Sequence, residues 1–83
     1  MNEENTQRLD QALINSLNIY FEQLGDQKPH ALHEMVLEAI EKPLIRYALE
    51  KTHGNLSKTA EMLGLSRNTL RKKMNQYRIQ SEI

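Results

Sequence analysis

Residues 55–73 read Asn-Leu-Ser-Lys-Thr-Ala-Glu-Met-Leu-Gly-Leu-Ser-Arg-Asn-Thr-Leu-Arg-Lys-Lys, and this spacing meets the physical requirements of a helix-turn-helix. Asn55 is suited to cap a short helix over residues 56–63 by accepting from a backbone amide of its first turn. Ala60 is small where a second helix must cross closely, and Gly64 supplies the bend four residues later. Leu63, Leu65 and Leu70 are placed to fill the angle between the two helices. Ser66 can cap the second one, which runs from Arg67 to about Tyr77.

What that second helix exposes gives the motif a partner. Between Met62 and Gln80 there are five bases (Arg67, Arg71, Lys72, Lys73, Arg78) and no acid. A recognition helix sets its N-terminal side chains against base edges and its flanks against phosphates, with Arg suited to guanine and Lys or Thr to the backbone. The helix dipole alone would account for Lys72 and Lys73 near the C-terminal end, but not for Arg67 at the positive N-terminus. Double-stranded DNA is therefore the expected partner.

The charge balance agrees. The chain has 11 Lys+Arg and 11 Asp+Glu in 83 residues, yet residues 1–50 hold four bases against nine acids, and residues 51–83 hold seven bases against two acids. A net −5 stretch is followed by a net +5 stretch, the pattern of one end meeting a polyanion while the other does something else.

Upstream, Leu9, Leu13, Leu17, Tyr20 or Phe21, and Leu24 recur at steps of three and four, so the first helix is expected from residue 9 to near residue 24, where Gly25, Asp26 and Pro29 stop it. Between Ala31 and Leu49, twelve of nineteen residues are apolar, whereas a surface helix of that length shows about eight to ten. This helix should be covered on more than one side. Pro43 lies inside it, removing one backbone donor, and predicts a kink rather than a break. The fold class is all-α, with four helices: a short flexible arm at 1–8, a helical dimerisation core at 9–52, a helix-turn-helix region at 53–79 and a tail at 80–83.

Size points to the cover. A chain of 83 residues buries only about 60–65 % of the surface its unfolded form exposes. With no cysteine there is no disulfide, thiolate zinc site or cysteine nucleophile to help. A second copy of the chain is the expected source of burial. No apolar run approaches the roughly 20 residues of a membrane span, and the start lacks a signal-peptide pattern, so the cytoplasm is expected and a membrane is not.

Residues Tyr47 to Tyr77, with Gly54-Asn55, Ala60, Leu63-Gly64 and Ser66-Arg67 followed by Thr69-Leu70-Arg71-Lys72-Lys73, resemble the C-terminal helix-turn-helix of the Fis family. Tyr20-Phe21, Val36-Leu37-Glu38 and Pro43-Leu44 extend the resemblance over about residues 10–79. It implies an obligate homodimer whose first two helices interlock and whose two hairpins face bent DNA, in a nucleoid-associated regulator of transcription. Position by position, it implies Arg67 as base reader, Asn55, Thr69, Lys72 and Lys73 as phosphate contacts, and Arg71 at the edge of the reading surface. Ser57 and Ser66 replace other small polar residues and can still reach a phosphate. Asn75 and Gln76 stand where the best-known members carry lysines, and only about eight residues precede the first helix where those members have a longer mobile arm. Neither a wrap of flanking DNA nor stimulation of recombinases is implied.

Two other readings compete. The same motif closes many sigma-54-dependent activators, so the chain could be a detached domain of one; Met1 and the match in the first two helices favour a complete protein. A helical module whose basic end meets an acidic protein is the other, and gel-shift with duplex DNA separates it. His30 and His33, three apart at a helix start, and His53 are the only candidates for metal chemistry. No carboxylate pair, nucleophile elbow, phosphate loop or paired-histidine zinc motif accompanies them, so surface histidines are expected, with no cofactor, metal, small-molecule ligand or enzymatic activity.

Overall fold

The computed structural model describes residues 1–80, in which the chain is all-α: α1 (Glu3–Leu24), α2 (Leu32–Lys51), α3 (Leu56–Leu63) and α4 (Arg67–Tyr77). Among the described residues there is no strand. Except for Gln80, the expected tail lies outside them. The chain forms two compact units, Met1–Ala31 holding α1 and a second beginning at Leu32 and holding the other three helices.

The first unit corrects the expected arm. Most of residues 1–8 is helix, because Asn2 caps it by accepting from the Asn5 amide at 2.8 Å. Glu3 and Glu4 then favour the positive end of the dipole, and Arg8 pairs with Glu4 at 2.7 Å one turn on. Apolar periodicity is blind to this stretch, since it is polar on every side. The other end follows expectation, with Gly25 at φ +64° and its amide donating to the Phe21 carbonyl. No residue of α1 is fully buried, and Leu9, Ile14, Ile19 and Phe21 are exposed.

In the second unit α2 runs unbroken through Pro43. Its Ile45, Ala48 and Leu49 are buried, and Ile45 and Leu49 join Ala60 of α3, Leu70, Met74 and Tyr77 of α4, and Ile79 in one core. Leu56 and Leu63 pack against its edge. The expected division after residue 52 is thus not a structural one: α2 supplies the floor on which the hairpin of α3 and α4 sits. Its other side is bare, with Leu37, Ile40, Leu44 and Tyr47 all exposed.

One polar group lies in this interior. Thr59 is wholly buried, its hydroxyl 2.7 Å from the Asn55 carbonyl and 2.6 Å from the Thr52 hydroxyl, which in turn is 3.2 Å from the Leu49 carbonyl. The two hydroxyl protons make two of these three contacts at a time, bracing the turn between α2 and α3. That turn needs left-handed backbone at His53 (φ +54°) and Gly54 (φ +79°).

Candidate nucleic-acid interface

The hairpin is built from caps. Asn55 accepts from the Lys58 amide at 3.0 Å and starts α3. Gly64, left-handed at φ 74°, ψ 30°, ends it, and the Leu65 amide reaches back to the Ala60 carbonyl at 2.9 Å, closing the Schellman pattern. Space for a Cβ exists at Gly64; it is the backbone conformation that favours glycine. Ser66 then accepts from the Thr69 amide at 3.1 Å and starts α4, and its hydroxyl lies 2.9 Å from that of Thr69. Ala60 is 3 % exposed and Leu70 fully buried, which is the close crossing and the filled angle required by the sequence, while Leu63 and Leu65 stay half-buried.

With Leu70, Met74 and Tyr77 turned inward, Arg67, Asn68, Arg71, Lys72 and Asn75 are left exposed. Their spacing of one and four residues puts them on one face of α4. Three cations thus share a surface with two amides. Asn68 is neither basic nor hydroxyl-bearing, so residue type alone does not single it out; its place beside Arg67 in the first turn is the signal available in the sequence.

The remaining candidates divide. Arg67 donates from Nη1 to the Ser57 hydroxyl at 3.4 Å, so the start of α3 and the start of α4 meet. Asn55, Ser57 and Ser66 are exposed and Thr69 is exposed only in part beside them. The capping oxygens of Asn55 and Ser66 are occupied, which leaves the Asn55 amide nitrogen and the Thr69 hydroxyl proton as donors toward an anion. Lys73 is different. Its Nζ donates to Glu41 Oε2 at 2.8 Å, and its side chain keeps only 28 % of its exposure. The structure ties this cation to α2 instead of presenting it with Arg71 and Lys72.

Glu41 carries no mark of this partnership in the sequence. Its second oxygen accepts from the Tyr77 hydroxyl, and Lys42 sits 6.0 Å from the Tyr77 ring centre. The bonds from Lys73 and Tyr77 hold the Glu41 carboxyl below the usual glutamate range, and the carboxylate, with partial burial, pushes the Tyr77 hydroxyl up to about 12. His30, His33 and His53 are exposed, and among the described residues no three His, Cys, Asp or Glu side chains converge to hold a metal. No described helix is long and apolar enough to cross a membrane.

A sequence profile of the Fis family of bacterial regulatory proteins matches residues 36–77. The chain is similar to a Fis-like DNA-binding protein of Neisseria meningitidis serogroup A, 44 % identical over 69 residues that make up 83 % of this chain and 87 % of that one. It is also similar to a Fis-like DNA-binding protein of Ralstonia nicotianae, 39 % identical over 69 residues, or 83 % of this chain and 90 % of that one. With the DNA-binding protein Fis of Proteus mirabilis the identity is 42 % over 62 residues, 75 % of this chain and 63 % of the relative. Each of these relatives is named as a DNA-binding protein and none as an enzyme. A hairpin of capped helices crossing at Ala60 and turning at Gly64, lying wholly within the residues that the profile matches, makes the chain a member of the Fis family of bacterial regulatory proteins.

Proposed function

We propose that this protein is a homodimeric DNA-binding and DNA-bending regulator of transcription, associated with the nucleoid in the bacterial cytoplasm. The observation that carries the reading is the outward face of α4, where Arg67, Asn68, Arg71 and Lys72 stand exposed with no acid between Met62 and Gln80. Arg67, at the N-terminal end, enters the major groove and exchanges its long contact with Ser57 for the N7 and O6 acceptors of a guanine. Lys72, Thr69, Asn55 and Ser57 flank it as phosphate partners, with Arg71 at the edge of the reading surface, while Ser66, whose hydroxyl proton goes to Thr69, orients that donor. No cofactor enters this reading.

Dimerisation is supported by the bare side of α2. Leu37, Ile40, Leu44 and Tyr47 recur at steps of three, four and three, the spacing of a helix-packing seam, and are exposed in a single chain. Such an apolar stripe marks an interaction surface. Bending follows from the economy of the readout: with one guanine reader per chain, selectivity rests on how readily the DNA between two half-sites deforms, so flexible or A/T-rich centres bind best. A footprint on genomic DNA with a parallel mass measurement of the free protein tests both parts. Protected sites in duplex DNA and a mass of two chains are expected; a protein of one chain's mass, or no footprint at low salt, contradicts the reading.

A further inference from the structure

We propose that Glu41 is a positioning residue for DNA discrimination: by accepting from both Lys73 and Tyr77 it sets the rotation of α4 on α2 and keeps the Lys73 ammonium off the phosphates. The inference rests on the DNA-binding reading above and assigns a role within it to a residue outside the hairpin.

Three observations carry it. Lys73 and Tyr77 are one helical turn apart on α4, and the two oxygens of a single carboxylate on α2 take one each. A rotation of α4 about its axis, or a slide along α2, breaks both bonds together, whereas the apolar contacts of Leu70 and Met74 are non-directional and tolerate small shifts. Second, the contacts of Glu41 span 32 and 36 residues. They are the side-chain hydrogen bonds that join α4 to α2 among the described residues, and they sit at the C-terminal half of α4, away from the Ser66 cap. Third, Lys73 lies on the same edge of α4 as Thr69, one turn on, and directly follows the exposed Lys72. Released from Glu41, its ammonium sits on a flexible four-carbon stem beside the phosphate-facing side of the helix and is a ready partner for any duplex, whatever its sequence. The pair thereby withholds one non-specific contact per chain while aiming the specific ones.

The experiment compares the unaltered protein with Glu41→Gln, the double variant Glu41→Gln/Lys73→Met, and Lys72→Met. Each is titrated against a duplex taken from a footprinted site and a random duplex of equal length at several salt concentrations. Circular dichroism confirms that each is folded. Glu41→Gln is expected to bind random DNA more tightly, to steepen the log–log salt dependence by about 0.9 for each Lys73 released, and to lower the ratio of specific to random affinity several-fold. The double variant is expected to give back the shallower slope while its ratio stays low, because α4 is still unlatched. Lys72→Met is expected to make the slope shallower. A purely structural Glu41 would weaken both duplexes alike with no steepening, and that result overturns the proposal. So does Lys73→Met, added as a single variant, if it flattens the slope as much as Lys72→Met, since Lys73 would then already be a phosphate partner. If the unaltered protein binds neither duplex, the DNA-binding reading fails and this inference falls with it; binding by the unaltered protein with an unchanged Glu41→Gln overturns this inference alone.

Discussion

The Nζ of Lys73 stands 2.8 Å from Oε2 of Glu41, joining the middle of α4 to the middle of α2 where the two side chains keep 28 % and 27 % of their exposure. Such a pair is shielded enough to outweigh a mobile surface contact, and open enough to escape the full desolvation penalty of a buried one. A double-mutant cycle with Glu41→Gln and Lys73→Met, followed by denaturant unfolding, is expected to give a coupling of about 1 kcal/mol.

The same cluster sets the pH limits of stability. Glu41 is held below its ordinary value of 4.5 by Lys73 first and Tyr77 second, so its contribution is complete above that value and is lost as pH falls through the lower folded one. Tyr77 is raised from 10.0 to about 12 by Glu41 first and by burial second, so its contribution is complete below 10.0 and is lost as pH rises through about 12. Melting temperatures across the pH range should form a plateau with both edges softened in Glu41→Gln. Edges identical in the two proteins would assign acid and alkaline unfolding to other groups.

Thr59→Val replaces a buried hydroxyl by a methyl of like shape. The Asn55 carbonyl keeps the Thr59 amide at 2.9 Å, and the Thr52 hydroxyl keeps the Leu49 carbonyl, so no buried group is orphaned. The expected loss is about 0.5–1.5 kcal/mol, the net worth of one hydrogen bond, measured by urea unfolding. A loss of several kcal/mol would show that the turn from α2 to α3 depends on this hydroxyl.

Arg78 ends α4 in the left-handed conformation at φ 56°, ψ 43°, with the Ile79 amide closing onto the Met74 carbonyl at 2.8 Å. Glycine adopts that conformation without the side-chain penalty, so Arg78→Gly is expected to raise stability by up to about 1 kcal/mol. A thermal melt checks it, and a lowered melting temperature would mean that the arginine side chain contributes more than its backbone costs.

Ile40 is 48 % exposed in one chain and lies at the centre of the apolar stripe of α2. In the proposed dimer, Ile40→Asp places an unpaired charge in a dry interface and should cost several kcal/mol. Sedimentation is expected to show two-chain mass for the unaltered protein and unfolding or dissociation for the variant. A variant that stays a dimer of normal stability would move the interface elsewhere.

Arg67→Ala and Lys72→Ala should fail differently. The first removes a bidentate base contact worth about 1–3 kcal/mol per half-site and narrows the gap between specific and random DNA. The second weakens both by similar factors and makes the salt dependence shallower by about 0.9 for each phosphate left without its lysine. Competition binding at two salt concentrations separates them, and the reverse pattern would exchange the roles of the two residues.

The hairpin is legible in the sequence because each of its determinants is local. Asn55 and Ser66 cap the helices that begin directly after them, and Gly64 turns where its own φ allows. Ala60 and Leu70 stand where the two helices cross within the same nineteen residues, although α2 completes their burial. The start of α1 is equally local, in Asn2 followed by Glu3 and Glu4, but its signal is capping and charge rather than apolar period. The excess of apolar residues in α2 also stands in the sequence; which of them face the hairpin and which are left bare does not. The identity of the cations that α4 offers is decided only by packing. Lys72 and Lys73 are neighbours of one type in the chain, and the turn of the helix between them leaves the first exposed and carries the second against Glu41. A carboxylate 32 residues away leaves no mark on the local pattern, because its pairing depends on where two helices meet and not on what precedes or follows either residue.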